Sequence, residues 1–245
     1  MEQIKSRLTQ LKLSGMTACL KTLEETRKIS ELSLYDGLHL LLQAEYDQRL
    51  QNRYQRLLKN AAFRYQASMQ EIITDPQRGV DQTKLTLLSM GDYIKNGECI
   101  LLTGASGSGK SFLASAFGSQ ACKQGYTVLY FNMQKLLMRL KVARLDGSII
   151  KLLEKIAKTE LLILDDFGLT TLQGQAQLDF MEIIEDRHAK RATIIASQIP
   201  ISGWFELFSE ESVADSVLDR IVHTSHRFEL KGESRRKKMN ISSEI

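Results

Sequence analysis

The chain has 245 residues, which at about 150 residues per domain is enough for one ordinary domain with a sizeable appendage, or for two small ones. Hydrophobic residues make up 43% and charged residues 25%, a globular balance that excludes collagen-like, low-complexity and wholly disordered chains. Lys and Arg number 33 against 29 Asp and Glu, and the net +4 is too mild to require a polyanionic partner, so the placement of charge carries more meaning than its sum.

Cys19, Cys99 and Cys122 are odd in number, widely spaced and form no C-x-x-C, which argues against a disulfide framework or a zinc site and fits a reducing compartment. The opening MEQIKSRLTQLKLSG lacks the apolar stretch and small cleavage residues of a secretory leader, and no run of about 18 apolar residues could span a bilayer. The expectation is a cytoplasmic protein with no membrane association. Prolines occur only at positions 76 and 200, which permits long unbroken helices.

Residues 1–73 read as a helical domain, a hairpin or small bundle. In LYDGLHLLLQAEY, Leu34, Leu38, Leu41, Leu42 and Tyr46 recur on one helical face, with Ser33 as N-cap. The next segment, Asp47 to Gln66, carries Arg49, Arg53, Arg56, Lys59 and Arg64 against Asp47 alone, a local net charge of +4. TDPQRG at 74–79 is a turn-rich break, and the domain boundary is placed there, leaving 74–245 as the second domain. That domain alternates short apolar runs (ECILLTG, YTVLYFN, ELLILDD, ATIIASQ) with helical stretches, the texture of strands buried on both faces of a parallel sheet.

GASGSGKS, residues 104–111, satisfies G-x-x-x-x-G-K-[ST] in full, with a strand-like run before it and a helix-like run after it. Small residues let successive backbone N–H groups of Gly104, Ala105, Ser106, Gly107, Ser108 and Gly109 curl around phosphate oxygens. The helix that follows, from Lys110 through Ser111 and Phe112, adds its positive dipole end. Lys110 is read as the cation for the β- and γ-phosphates and Ser111 as a hydroxyl ligand to Mg²⁺. A carboxylate site is then required, and LLILDD supplies it: Asp165, at the end of a buried run, is read as the second Mg²⁺ residue, and Asp166 as the acid that polarises the attacking water. Ser197 and Gln198 end a later apolar run and are placed to reach the γ-phosphate or its water. His39, His188, His223 and His226 show no metal-ligand spacing, and Trp204 reads as a packing residue.

Taken with IIASQIPISGWFELF and LDRIVHTSHRFELKGESRRKK, these motifs resemble the IstB-like family of AAA+ ATPases, helpers of transposition related to DnaC-type helicase loaders, over almost the whole chain. The resemblance implies an α/β P-loop AAA+ core with a five-stranded parallel sheet in the order 5-1-4-3-2 and no full lid domain. It also implies ATP and Mg²⁺ as cofactors, hydrolysis, homo-oligomeric rings or helices with ATP between subunits, binding to double-stranded DNA without sequence specificity, and a partner transposase. Carried over by position, the polar pair Ser197 and Gln198 matches the first sensor, Arg220 the arginine that enters a neighbouring subunit's site, and Arg236, with Arg235 adjacent, the second sensor. Two basic regions compete for DNA: the segment containing Arg49, Arg53, Arg56, Lys59 and Arg64, and the tail from His226 to Asn240, also net +4. A replicative helicase loader shares nearly every ATP-site residue and stands as the alternative. A kinase on the same phosphate loop would need an arginine-rich lid segment, and none is evident.

Overall fold

The computed structural model describes residues 2–232 and divides them into two compact units that meet at Arg56/Leu57. The first holds α1 (Glu2–Gln10), α2 (Ser14–Glu25) and most of α3 (Leu34–Ala61), a helix of 28 residues. Ser33 caps α3 as expected, its hydroxyl accepting from the Asp36 N–H at 3.2 Å. Gly15 marks a close crossing: a Cβ there would lie 2.4 Å from the Ala44 carbonyl oxygen, so only glycine lets α2 approach α3 this closely. Glu45, buried beside it, accepts from the Gly15 and Met16 N–H groups and pairs with Arg49 at 2.8 Å. The helical period of the leucine stripe holds, but the stripe itself is open. Leu34, Leu38, Leu42 and Tyr46 are exposed, and the packed side of α3 carries Ala44 and Glu45.

The second unit begins inside α3, not at the TDPQRG turn. Residues 57–80 belong with the second unit because their apolar side chains pack within it: Phe63 meets Tyr130 of the sheet, Tyr65 meets Phe112 of the helix after the glycine-rich loop, and Val80 is buried. The chain then continues through α4 (Gln82–Ser89), α5 (Asp92–Lys95), β1 (Cys99–Gly104), α6 (Lys110–Lys123), β2 (Val128–Asn132), α7 (Met133–Leu145) and α8 (Ile149–Lys158). It closes with β3 (Leu161–Phe167), α9 (Gln175–Arg187), β4 (Ala192–Ser197), α10 (Glu211–Val222) and β5 (Ser225–Leu230).

All five strands pair in parallel, in the order β2-β3-β4-β1-β5, which is the expected 5-1-4-3-2 read from the other edge. The four apolar runs become β1 to β4. The fifth strand, SHRFEL, is half-buried at Ser225 and His226 and then alternates, with Arg227 and Glu229 exposed and Phe228 and Leu230 buried. Successive strand residues face opposite sides. Leu101, Phe131, Leu162, Leu164 and Ile195 join Leu136, Leu140, Ile156, Phe180, Trp204 and Val217 in one core. On the other face α6 buries Leu113, Ala114 and Phe117, and Phe117 meets Tyr93 and Phe228 ring to ring at 6.1 Å each. Trp204 is fully buried, a packing residue as read. Among the described residues no helix is long and apolar enough to cross a membrane.

Candidate nucleotide site

The site lies at the carboxyl ends of β1, β3 and β4, where open α/β sheets bind ligands. β1 ends at Gly104, and a Cβ there would sit 2.2 Å from the Leu230 carbonyl of β5, so the loop can leave the sheet only through a glycine. Gly107 and Gly109 take φ of +79° and +108°, curling the backbone before α6 starts at Lys110. The Lys110 ammonium lies inside the loop, donating to the Gly104 and Ala105 carbonyls at 2.7 and 2.9 Å. Burial holds it below the usual lysine value, with Asp165 and Asp166 pulling the other way. The Ser108 hydroxyl is, among the described residues, a buried side-chain polar atom without any hydrogen-bond partner. An orphan of that kind, within a cradle of backbone amides, fits a polar ligand such as a phosphate oxygen.

The two acids sit in a break of the β3–β4 ladder between Leu164 and Phe167. Asp166 has φ of +59°, a left-handed conformation that aspartate tolerates better than most residues, so the bulge turns adjacent side chains toward the same end of the sheet. Asp165, almost fully buried, accepts the Ser111 hydroxyl at 2.9 Å on Oδ1 and the Tyr130 hydroxyl on Oδ2. Burial, reinforced by that bond to Asp165, pushes the Tyr130 phenol well above the ordinary tyrosine range, so it remains a donor. Asn132, at the end of β2, donates to Asp166 Oδ2 at 2.8 Å. Ser111 and Asp165 present two hard oxygens side by side beside the phosphate loop. This donor set suits Mg²⁺, which needs few protein ligands when phosphates and waters supply the rest.

Ser197 is engaged elsewhere: its hydroxyl donates to the Phe167 carbonyl at 2.8 Å and accepts from the Ile199 N–H at 3.0 Å, tying the ends of β3 and β4 together. Gln198 follows directly at the carboxyl end of β4, between the strands that carry the loop and the acids. Arg220 lies on α10, donating to the Ser216 carbonyl and hydroxyl at 2.7 and 2.6 Å and reaching Glu185 at 3.4 Å. Helix α10 leads into Ser225, the partner of Cys99 at the start of β1, whereas the phosphate loop is at the far end of that strand. Arg220 is therefore remote from its own chain's loop. Arg236, Arg235 and the basic tail beyond Gly232 lie outside the described residues.

Two features escape the sequence. One is an apolar cleft beside the loop, walled by Ile72, Val80, Phe112, Leu113 and Leu230 with Arg78 at its margin. It is built because Asp75 and Val80 close a tight hairpin whose Gly79 lies against Glu229, where a Cβ would come within 1.9 Å of the carbonyl oxygen. The stretch read as a turn-rich domain boundary is thus a wall of the site. The other is Arg64, assigned above to the basic face: its guanidinium lies instead against Asp165 and Asp166, at 3.3 and 2.9 Å.

Against known proteins, residues 6–243 match the model of the IstB-like ATP binding protein family. The chain belongs to the IstB-like ATP-binding family. It is 40% identical over 230 residues to the insertion sequence ATP-binding protein y4uH of Sinorhizobium fredii, covering 94% of this chain and 93% of that one. To the IS21 ATP-binding protein of Pseudomonas aeruginosa it is 27% identical, over 97% of this chain and 90% of that one. Among solved structures it resembles the DnaC helicase loader, with a TM-score of 0.57 and 21% identity over 67% of this chain and 97% of that one. AMPPCP-bound DnaA from Aquifex aeolicus gives a TM-score of 0.56 and 20% identity over 71% of this chain and 54% of that one. At such identities these likenesses speak for the fold alone, the five-stranded parallel sheet with its flanking helices.

Proposed function

We propose that this IstB-like protein is a Mg²⁺-dependent ATPase whose hydrolysis is completed by a neighbouring copy, and that it assembles on double-stranded DNA as a transposition helper. The observation that carries the reading is the Ser111–Asp165 hydrogen bond across the mouth of the loop that holds Lys110, with Asp166 turned beside it by the bulge. In this reading the loop amides and the Ser108 hydroxyl hold phosphate oxygens, Lys110 follows the γ-phosphate, and the cleft at Ile72, Val80 and Phe112 takes the adenine. Ser111 and Asp165 would hold Mg²⁺, which when bound neutralises charge on the phosphates. Asp166 accepts a proton from water, oriented with help from Gln198. Arg236, by its position in GESRRKK, is proposed as the second sensor.

Arg220 is the residue through which assembly would control turnover, because it cannot serve its own loop. An arginine supplied in trans to a transferring phosphoryl group is worth about 10³-fold or more in rate. Arg220→Ala is expected to bind ATP within about threefold of the parent and to lose hydrolysis. Full turnover by that variant would remove the assignment.

For DNA, the reading rests on the row that α3 carries, Arg49, Arg53, Arg56 and Lys59, exposed at successive turns. Within that row Arg49 pairs with Glu45 one turn earlier. Arg53→Glu combined with Arg56→Glu is expected to weaken binding to unrelated duplexes alike and to reduce the slope of log K against log salt by about 2. Unchanged binding would move the contact elsewhere. The recruited partner is proposed to be the transposase of the same insertion sequence, and the compartment the cytoplasm. The 40% identity to an insertion sequence protein favours this over a helicase loader, for which only the fold argues.

A further inference from the structure

Helix α3 ends at Ala61, and Ala62, with φ of +54°, turns the chain so that Phe63, Arg64 and Tyr65 run across the acid pair. Phe63 packs edge-on against Tyr130 of β2, centroids 6.2 Å apart. It also occupies the space above Gly118 of α6, where a Cβ would come within 2.3 Å of its ring. Tyr65 packs on Phe112 of α6 at 6.3 Å, and the Arg64 guanidinium lies 5.6 Å from the Tyr65 ring centre. The aromatic pair thus fixes the backbone on both sides of Arg64 to the two elements that frame the site. A single Arg64 nitrogen then reaches Oδ2 of both acids. Ser111 occupies Oδ1 of Asp165, so the cation and the proposed metal-side hydroxyl contact opposite oxygens of that carboxylate.

Adjacent acids, one with 1% and the other with 18% of the side chain exposed, repel one another, and a shared cation relieves that repulsion while fixing both orientations. We propose that Arg64 is a positioning residue for hydrolysis, holding Asp166 toward the attacking water and balancing the acid pair from the side away from Ser111. The proposal rests on the reading of Asp165 and Asp166 as the metal-side and water-side acids. Because contact is through one nitrogen, charge matters more than the guanidinium fork, so Arg64→Lys retains the role and Arg64→Met, of similar reach without charge, does not.

The test uses the full chain, with steady-state hydrolysis, Mg²⁺-dependent binding of a fluorescent ATP analogue, and a thermal melt. Arg64→Met is expected to lower kcat by about 10- to 100-fold with KM for ATP within about threefold. With a competing cation gone from beside Asp165, it should also lower the Mg²⁺ concentration that half-saturates analogue binding by several-fold. Arg64→Lys should restore both quantities to within about threefold of the parent. Arg64→Gln replaces the methionine variant if the latter melts much earlier. Parental kcat in the methionine variant, loss of analogue binding in step with hydrolysis, or a lysine variant no better than methionine would each overturn the proposal. A parent protein that binds ATP but hydrolyses none would remove the ATPase reading instead. Arg64 would then stand or fall on the Mg²⁺ half-saturation alone, an unchanged or raised value overturning it.

Discussion

Lys110→Ala is expected to reduce ATP turnover by at least about 100-fold, or about 2.7 kcal/mol of transition-state stabilisation, and to weaken nucleotide binding by about tenfold. The magnitude follows from where the ammonium sits. It is buried within the loop, 2.7 and 2.9 Å from two backbone carbonyls, in surroundings where a point charge acts on a phosphate with little screening by water. The fold should survive, because the ammonium hydrogen bonds to the Gly104 and Ala105 carbonyls of the loop. Turnover by the alanine variant above about a tenth of the parental rate, with an unchanged melt, would show that the loop does not bear on a transferring phosphoryl group. Lys110→Arg is expected to help little, since the loop closes on a single nitrogen and has no place for a fork.

The largest effect on stability is expected from Arg187→Ala, at about 3 to 5 kcal/mol, with a fall in melting temperature of roughly 10 °C or more. Arg187 ends α9 and is 1% exposed. Its Nε donates to the Thr193 hydroxyl at 3.1 Å and one Nη to the carbonyls of Ile156 and Thr159 at 2.6 and 2.7 Å, while the other Nη donates to the Ala192 carbonyl. One side chain thus satisfies the carboxyl end of α8, the turn into β3 and the first residue of β4, and its charge lies where a helix carboxyl terminus favours a cation. Alanine would strip these buried carbonyls of their charged donor, leaving Ile156 only the Thr159 N–H at 3.3 Å, and open a cavity of arginine size. Denaturant titration of the two proteins measures the difference, and a loss below about 1 kcal/mol would mean that the carbonyls find other donors.

Much of this architecture is legible from residue order. Buried parallel strands are apolar throughout, so β1 to β4 announce themselves as runs, and the glycine-rich GASGSGKS and Asp165 can be placed at the ends of two of them. Strand β5 is less visible because its other positions stay partly or fully open and carry His226, Arg227 and Glu229 beside the buried Phe228 and Leu230. Long-range placements are not visible at all. Arg64 sits among basic residues at helical spacing and reads as one of them; only the left-handed turn at Ala62, itself not a residue that signals such a turn, carries it out of the helix and onto the acids. The aromatic flanks Phe63 and Tyr65 were the available signal, since two rings bracketing a cation imply a backbone fixed by packing. The wall at Ile72 and Val80 reads as a domain boundary because a Pro–Gly hairpin looks the same in sequence whether it faces water or, as here, lies against a strand. The stripe of Leu34, Leu38, Leu42 and Tyr46 shows that helical periodicity identifies a face without saying what covers it.

If one copy's Arg220 completes another copy's phosphate site, turnover must depend on protein concentration. ATP hydrolysis per protomer, measured over a hundredfold range of concentration with and without duplex DNA, should rise steeply with concentration. In the presence of DNA, which gathers copies along one molecule, the rise should shift to lower concentration. A rate per protomer that is constant over the whole range, and indifferent to DNA, would mean that each copy hydrolyses ATP with its own residues and would contradict the account.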